Sequence, residues 1–207
     1  MRKILITCFG PFPGMRVNPT AQLLRALMRS GAARFERLGV TLAAHALPTV
    51  FAAIKPELEA LMKAERPDAA LHLGVAGNRK KISVEAYGRN VITVLRTDAL
   101  RQRAPRRALA DGPARITSTF AARQIESAVR RRAIPVHVSP SAGDYVCNQT
   151  LYLSLRGASR KCAQIGFIHI PRPRAARPLA RGPDARPAMR QIHTAVVEAL
   201  LVMARAR

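Results

Sequence analysis

Short β-branched apolar runs alternate with stretches of helical spacing along this chain, and that alternation restricts its fold more than any other feature. Lys3 to Cys8 reads as a buried strand that ends in a Gly/Pro-rich loop over 10–19. Pro19 can open a helix through Leu23, Leu24, Leu27 and Met28, with Ser30-Gly31 as its stop. Val40 to Leu47 reads as a second strand. A helical pattern follows over 50–65 through Phe51, Ile54, Leu58, Leu61 and Met62, in which Pro56 demands a kink or marks the true start. Ala69 to Leu73 is a third short strand, framed by a loop holding Gly74 and Gly77, and Val84 to Leu95 contains an extended segment. The polar, Arg-rich stretch 97–113 reads as a long loop. Residues 120–132 are helical and 135–139 a strand, while Cys147 to Leu155 resumes helical spacing. Ile165 to Ile170 is a last strand, 171–187 a mobile Pro/Arg-rich loop and 188–205 an amphipathic helix. Strands alternating with helices predict an α/β layered fold, with loops at the carboxyl ends of the strands carrying the chemistry. No linker or repeat divides the chain, so 1–207 is expected to be one domain.

The core has to be aliphatic, because 48% of residues are apolar but only 4% aromatic and none is Trp. No apolar run approaches the ~20 residues of a membrane helix. The opening Met-Arg-Lys-Ile-Leu-Ile-Thr has too short an apolar part for a signal peptide, so a soluble cytoplasmic protein with no membrane association is expected. Cys8, Cys147 and Cys162 are too few for a disulfide framework and have no zinc-ligand spacing, which points to a reducing compartment. The net charge of +23 would attract polyanions. Only six of the 35 basic residues are Lys, however, and Ala is abundant, so the charge reads as coding bias. No zinc finger, helix-turn-helix or aromatic–basic interleaving supports a specific nucleic-acid partner.

Cys147 carries the chemical argument. It sits in Ser-Ala-Gly-Asp-Tyr-Val-Cys-Asn-Gln-Thr, near the start of a helix, and His169 follows in Gly-Phe-Ile-His-Ile-Pro. A cysteine and a histidine on neighbouring elements are the minimum parts of a thiol nucleophile and its base. Glu85, beyond the Gly74–Gly77 loop, would orient the base. Helix placement and a neighbouring histidine both predict a thiol pKa below the usual ~8.5. The remaining histidines, His45, His72, His137 and His193, read as satisfied structural polar groups.

These segments together resemble the pyroglutamyl-peptidase I (pyrrolidone-carboxylate peptidase) family. Ile-Leu-Ile-Thr-Cys-Phe-Gly-Pro-Phe-Pro-Gly…Asn-Pro-Thr, Leu47-Pro48-Thr49-Val50-Phe51, the loop Gly74 to Glu85, Asp111-Gly112-Pro113, Ala-Gly-Asp-Tyr-Val-Cys-Asn and Gly-Phe-Ile-His-Ile-Pro are each similar to a family segment, in family order. The resemblance implies a three-layer α/β/α sandwich with a mostly parallel central sheet. It implies a cysteine exopeptidase that removes N-terminal pyroglutamyl residues from blocked peptides without metal or cofactor, often as a homotetramer. It assigns Cys147, His169 and Glu85 to catalysis and puts Phe9, Phe12, Tyr145 and Val146 around the lactam ring. Asn18 becomes a polar anchor and Arg79 an electrostatic helper at the oxyanion. Two alternatives stay open: the same triad acting on another cyclic or N-acyl amide, and a non-catalytic binding paralogue.

The resemblance breaks at particular places. Val75 stands where the family has Gln, removing an amide that both donates and accepts and weakening recognition by about 1–3 kcal/mol if that amide met substrate. Arg96 falls one position later than the family arginine, an offset that in an extended strand would turn it to the opposite face. Arg172, Arg174 and Arg177 replace the family's continuation after the histidine.

Overall fold

The computed structural model describes residues 1–175 and 185–206. Its centre is a six-stranded sheet in the order β2-β1-β3-β8-β4-β7. Strands β1 (Arg2–Phe9), β2 (Val40–Leu47), β3 (Ala69–Val75) and β8 (Gln164–Ile170) run parallel to one another. Strands β1, β3 and β8 are covered on both faces, which is why their sequences are continuous apolar runs rather than alternations. Strand β4 (Ile82–Glu85) lies antiparallel to β8, and β7 (Val136–Ser139) follows β4's direction. Strands β5 (Tyr87–Arg89) and β6 (Arg115–Thr117) form a separate antiparallel pair.

Two hydrophobic cores sandwich the sheet. On one face Leu23, Leu27 and Phe35 of α1 (Pro19–Glu36), Ile125 and Val129 of α3 (Ala122–Arg130) and Ile192, Val196 and Leu200 of α5 (Met189–Arg205) pack on Ile4, Ile6, Leu71 and Ile168. On the other, Phe51, Ile54 and Leu58 of α2 (Phe51–Glu65) and Leu151 and Leu155 of α4 (Val146–Arg156) pack on Leu5, Ala70, Ile165 and Phe167. The result is the expected three-layer α/β/α arrangement with a mostly parallel sheet. No helix among the described residues is long and apolar enough to cross a membrane.

Local differences from the sequence reading have identifiable causes. Helix α1 does not stop at Ser30-Gly31 but runs on to Glu36. Gly31 is buried inside it, and the Ser30 hydroxyl donates back to the Ala26 carbonyl instead of capping. The extra turn buries Phe35 completely, a gain of about 1.5–3 kcal/mol that outweighs the roughly 0.5–1 kcal/mol cost of a helical glycine. Helix α2 begins at Phe51 and carries Pro56 inside it. Its N-cap residue Val50 offers no side-chain acceptor, and the carboxylate of Asp98 takes the Phe51 N–H at 3.0 Å instead. The extended segment expected over 84–95 is two short strands, β4 and β5, followed by irregular chain. Most of the loop expected over 171–187 lies outside the described residues.

Candidate active site

The site lies where β3, β8, β4 and α4 meet. His169 is the next-to-last residue of β8, paired with Gly74 on one side and with Ser83 on the other. Because β4 runs against β8, the chain passes Ser83 at the level of His169 and then descends into the molecule. Glu85, two residues further and on the same face as Ser83, therefore reaches the imidazole from beneath and is fully buried. One of its oxygens, Oε1, lies 2.8 Å from His169 Nδ1 and 2.6 Å from Arg79 Nη1. A carboxylate only accepts, so Nδ1 carries a proton and, in the neutral ring, Nε2 keeps the lone pair. A buried carboxylate needs a compensating charge, and Arg79 supplies it while donating through Nη2 to the Ser141 carbonyl at 2.9 Å.

Cys147 is the second residue of α4. The N-cap Tyr145 makes no side-chain cap, and the first helical bond runs from Gln149 N to Tyr145 O, so the N–H groups of Val146, Cys147 and Asn148 precede the helical ladder. Such a terminus favours negative charge. Two close approaches fix it. A Cβ on Gly74 would lie 2.9 Å from Cys147 Sγ and 2.7 Å from the Phe167 ring, so glycine leaves room for the sulfur beside the strand that carries His169's neighbour. One turn along, a Cβ on Gly88 would lie 2.8 Å from Tyr152 Cα, bringing β5 directly against the helix backbone. Buried Asn148 ties the two together: Oδ1 accepts from Arg89 N at 2.9 Å, and Nδ2 donates to the carbonyls of Arg89 (2.8 Å) and Val91 (2.7 Å).

Burial pushes the Cys147 thiol up to about 12. The Glu85 charge adds to that rise, while Arg79, the residue's own N–H and Arg96 oppose it. Burial thus works against the helix terminus, in the direction opposite to the depressed pKa expected from sequence.

A cleft of about 360 Å³ opens in front of these groups. Cys147 and His169 line it, together with Phe9, Phe12, Tyr145 and Val146, the four apolar residues singled out from the sequence. Tyr145 is braced by Phe51 edge-on at 5.2 Å and by a hydrogen bond from its hydroxyl to the Thr97 carbonyl at 2.8 Å. Asn18 and Arg79 also border the cleft, but their polar groups are largely engaged elsewhere. Asn18 Oδ1 caps α1 by accepting from Thr20 N and Oγ1, and its Nδ2 donates to the Gly10 carbonyl. Arg79 holds Glu85. Arg96 does reach the cleft, where it pairs with Asp144 and lies over the Tyr145 ring. Residues 90–100 form irregular chain, so the alternation that would have turned Arg96 away does not apply. Met15, Thr49, Asp144 and Arg172 also line it; they come from distant stretches of the chain, and no local pattern joins them.

The model of the pyroglutamyl peptidase family matches residues 2–205. A pyrrolidone-carboxylate peptidase of Chromobacterium violaceum is 38% identical over 173 residues, covering 83% of this chain and 78% of its own. One from Erwinia tasmaniensis is 36% identical over 174 residues, with the same coverages of 83% and 78%. The crystal structure of pyroglutamyl peptidase I from Bacillus amyloliquefaciens superposes with a TM-score of 0.87 at 28% identity, covering 100% of this chain and 98% of that one.

Proposed function

Since this chain belongs to the pyroglutamyl peptidase family, we propose that it is a cysteine exopeptidase whose nucleophile is Cys147, whose acid–base is His169 and whose orienting carboxylate is Glu85. The observation that carries this assignment is the buried Glu85–His169 hydrogen bond of 2.8 Å beside a cleft that the thiol also lines. The lactam ring of an N-terminal pyroglutamyl residue sits among Phe9, Phe12, Tyr145 and Val146, with its acyl carbon against Cys147. As sulfur attacks, its proton passes to Nε2 of His169. The nucleophile is activated at that moment rather than held as a standing thiolate, which agrees with a thiol pushed up to about 12. Glu85 stabilises the imidazolium through Nδ1. The N–H of Cys147, at the uncapped start of α4, faces the charge that develops on the acyl oxygen. Imidazolium then protonates the leaving amine, a thioester remains, and His169 activates the water that hydrolyses it. Three free cysteines suit the reducing cytoplasm in which we place the protein.

The test is release of an aryl amine from a pyroglutamyl aryl amide, with Cys147→Ala as control. Turnover that survives the substitution overturns the assignment. Val75 lines the cleft where family members carry Gln, and this supports a second reading, in which the same three groups act on a different cyclic or N-acyl amide. A panel of such amides run beside the pyroglutamyl compound decides between the two.

A further inference from the structure

Three arginines line the cleft, and their charges are in different states. Arg79 is bound to Glu85, and Arg96 is bound to Asp144. Arg172, three residues past His169, has no carboxylate partner among the described residues and is exposed. Its guanidinium crosses the glycine loop: a Cβ on Gly77 would lie 3.1 Å from Arg172 Nε. Arg172 also belongs to a second groove of about 350 Å³, together with Met15, Arg16, Val17 and Gln22. Met15 and Arg172 are common to both cavities, so the groove adjoins the active cleft across them. Met15 is a firm sill, held in a tight turn by reciprocal backbone bonds with Phe12 at 2.8 and 3.2 Å. Arg16, on the groove side of the sill, is exposed and likewise has no carboxylate partner among the described residues.

We propose that Arg172, with Arg16 behind it, forms a leaving-side subsite that selects pyroglutamyl peptides carrying an acidic side chain just after the scissile bond. The proposal rests on the reading of Cys147 as the nucleophile. With the lactam ring enclosed by Phe9, Phe12 and Tyr145, the rest of the peptide has to leave the cleft. Towards Arg96 the rim is closed by an ion pair, and towards Arg79 the guanidinium is pinned on both amine nitrogens. Over Met15 lies the second groove, and it passes two cations that have no carboxylate partner among the described residues. A carboxylate there gains a charge-assisted contact in a field that is positive overall, at +23 for the chain.

The experiment compares kcat/KM for pyroglutamyl-Glu-Ala, pyroglutamyl-Gln-Ala and pyroglutamyl-Lys-Ala, with a pyroglutamyl aryl amide as reference. At low salt the Glu peptide is expected to exceed the Gln peptide about fivefold, the size of an exposed ion pair, and the ratio is expected to fall towards one in about 1 M salt. Arg172→Glu is expected to invert the order, so that Lys exceeds Glu; Arg16→Gln is expected to reduce the Glu/Gln ratio by a smaller factor. Because each ratio is internal to one protein, partial misfolding cannot imitate the result. Equal handling of Glu and Gln peptides at low salt, or a Glu preference that persists in Arg172→Glu, overturns the subsite. Failure of the parent protein to release aryl amine overturns the pyroglutamyl reading beneath it, and release that survives Cys147→Ala overturns the nucleophile assignment.

Discussion

Two histidines stand on adjacent strands of the same sheet and meet opposite fates. His72 lies at mid-strand in β3, fully buried, with Nδ1 2.7 Å from the Thr7 hydroxyl and Nε2 2.9 Å from the Ser154 hydroxyl. His169 lies near the end of β8, also buried, with Nδ1 on the Glu85 carboxylate and its ring bordering the cleft. Hydroxyls satisfy a ring without stabilising its charge, and burial drags the His72 pKa down to about 4. Behind His169 stands a carboxylate instead, an acceptor that fixes the ring's orientation and tautomer. Burial alone therefore does not make a histidine functional; the chemistry of the group behind it does, together with access to a substrate.

The contrast can be broken by exchanging which property each residue supports. His169→Ala is expected to lower kcat at least about a thousandfold, measured by aryl-amine release, while the urea midpoint moves little. Glu85→Gln keeps the shape but not the charge, and a fall of roughly 10²–10⁴ in kcat is expected. His72→Leu is expected to do the reverse. It strands two buried hydroxyls and removes about 2–4 kcal/mol from the unfolding free energy, with turnover per folded molecule unchanged within about twofold. Proportional loss of stability and turnover in both the His169 and His72 variants would erase the distinction.

A pH series sharpens it further. The folded pKa of His72, about 4, lies below the ordinary 6.5, so the unfolded chain binds the proton more readily. The stability that depends on neutral His72 is complete above about pH 6.5, declines as pH falls, and is lost once pH drops below about 4, amounting to at most roughly 3 kcal/mol. Urea midpoints between pH 7 and 4 should show this decline in the parent and lack it in His72→Leu. The smallest expected signal concerns the thiol. Its iodoacetamide reaction should climb steadily into alkaline pH with no plateau near neutrality, and a plateau below pH 7 would mean that an ion pair with His169 already exists at rest.

Much of this was legible in the chain. Strand β2 falls on its expected bounds because periodicity and flanking breakers agree there, and β1 and α5 fall within a residue or so of theirs. Cys147 and His169 stood out because each lies in a short, chemically specific string. What could not be read locally depends on partners distant in sequence. The end of α1 is decided by a pocket for Phe35, not by Gly31. The start of α2 is decided by Asp98, 47 positions away. The duties of Asn18 and Arg79 became clear only when Gly10, Thr20, Glu85 and Ser141 were placed around them. The reversed direction of β4, which lets Glu85 approach from below, follows from sheet order and leaves no mark on four residues of sequence.

Helix α4 is gripped along its first two turns, at Gly74, at Asn148 and at Gly88, by contacts that tolerate no added atom. A lineage that changes its diet therefore has little freedom to shift the sulfur. Novelty has to enter through the hairpin at Met15, the stretch around Arg96 and the segment after Ile170, where side chains can be exchanged without disturbing the anvil beneath. Arg172 stands in the last of these places.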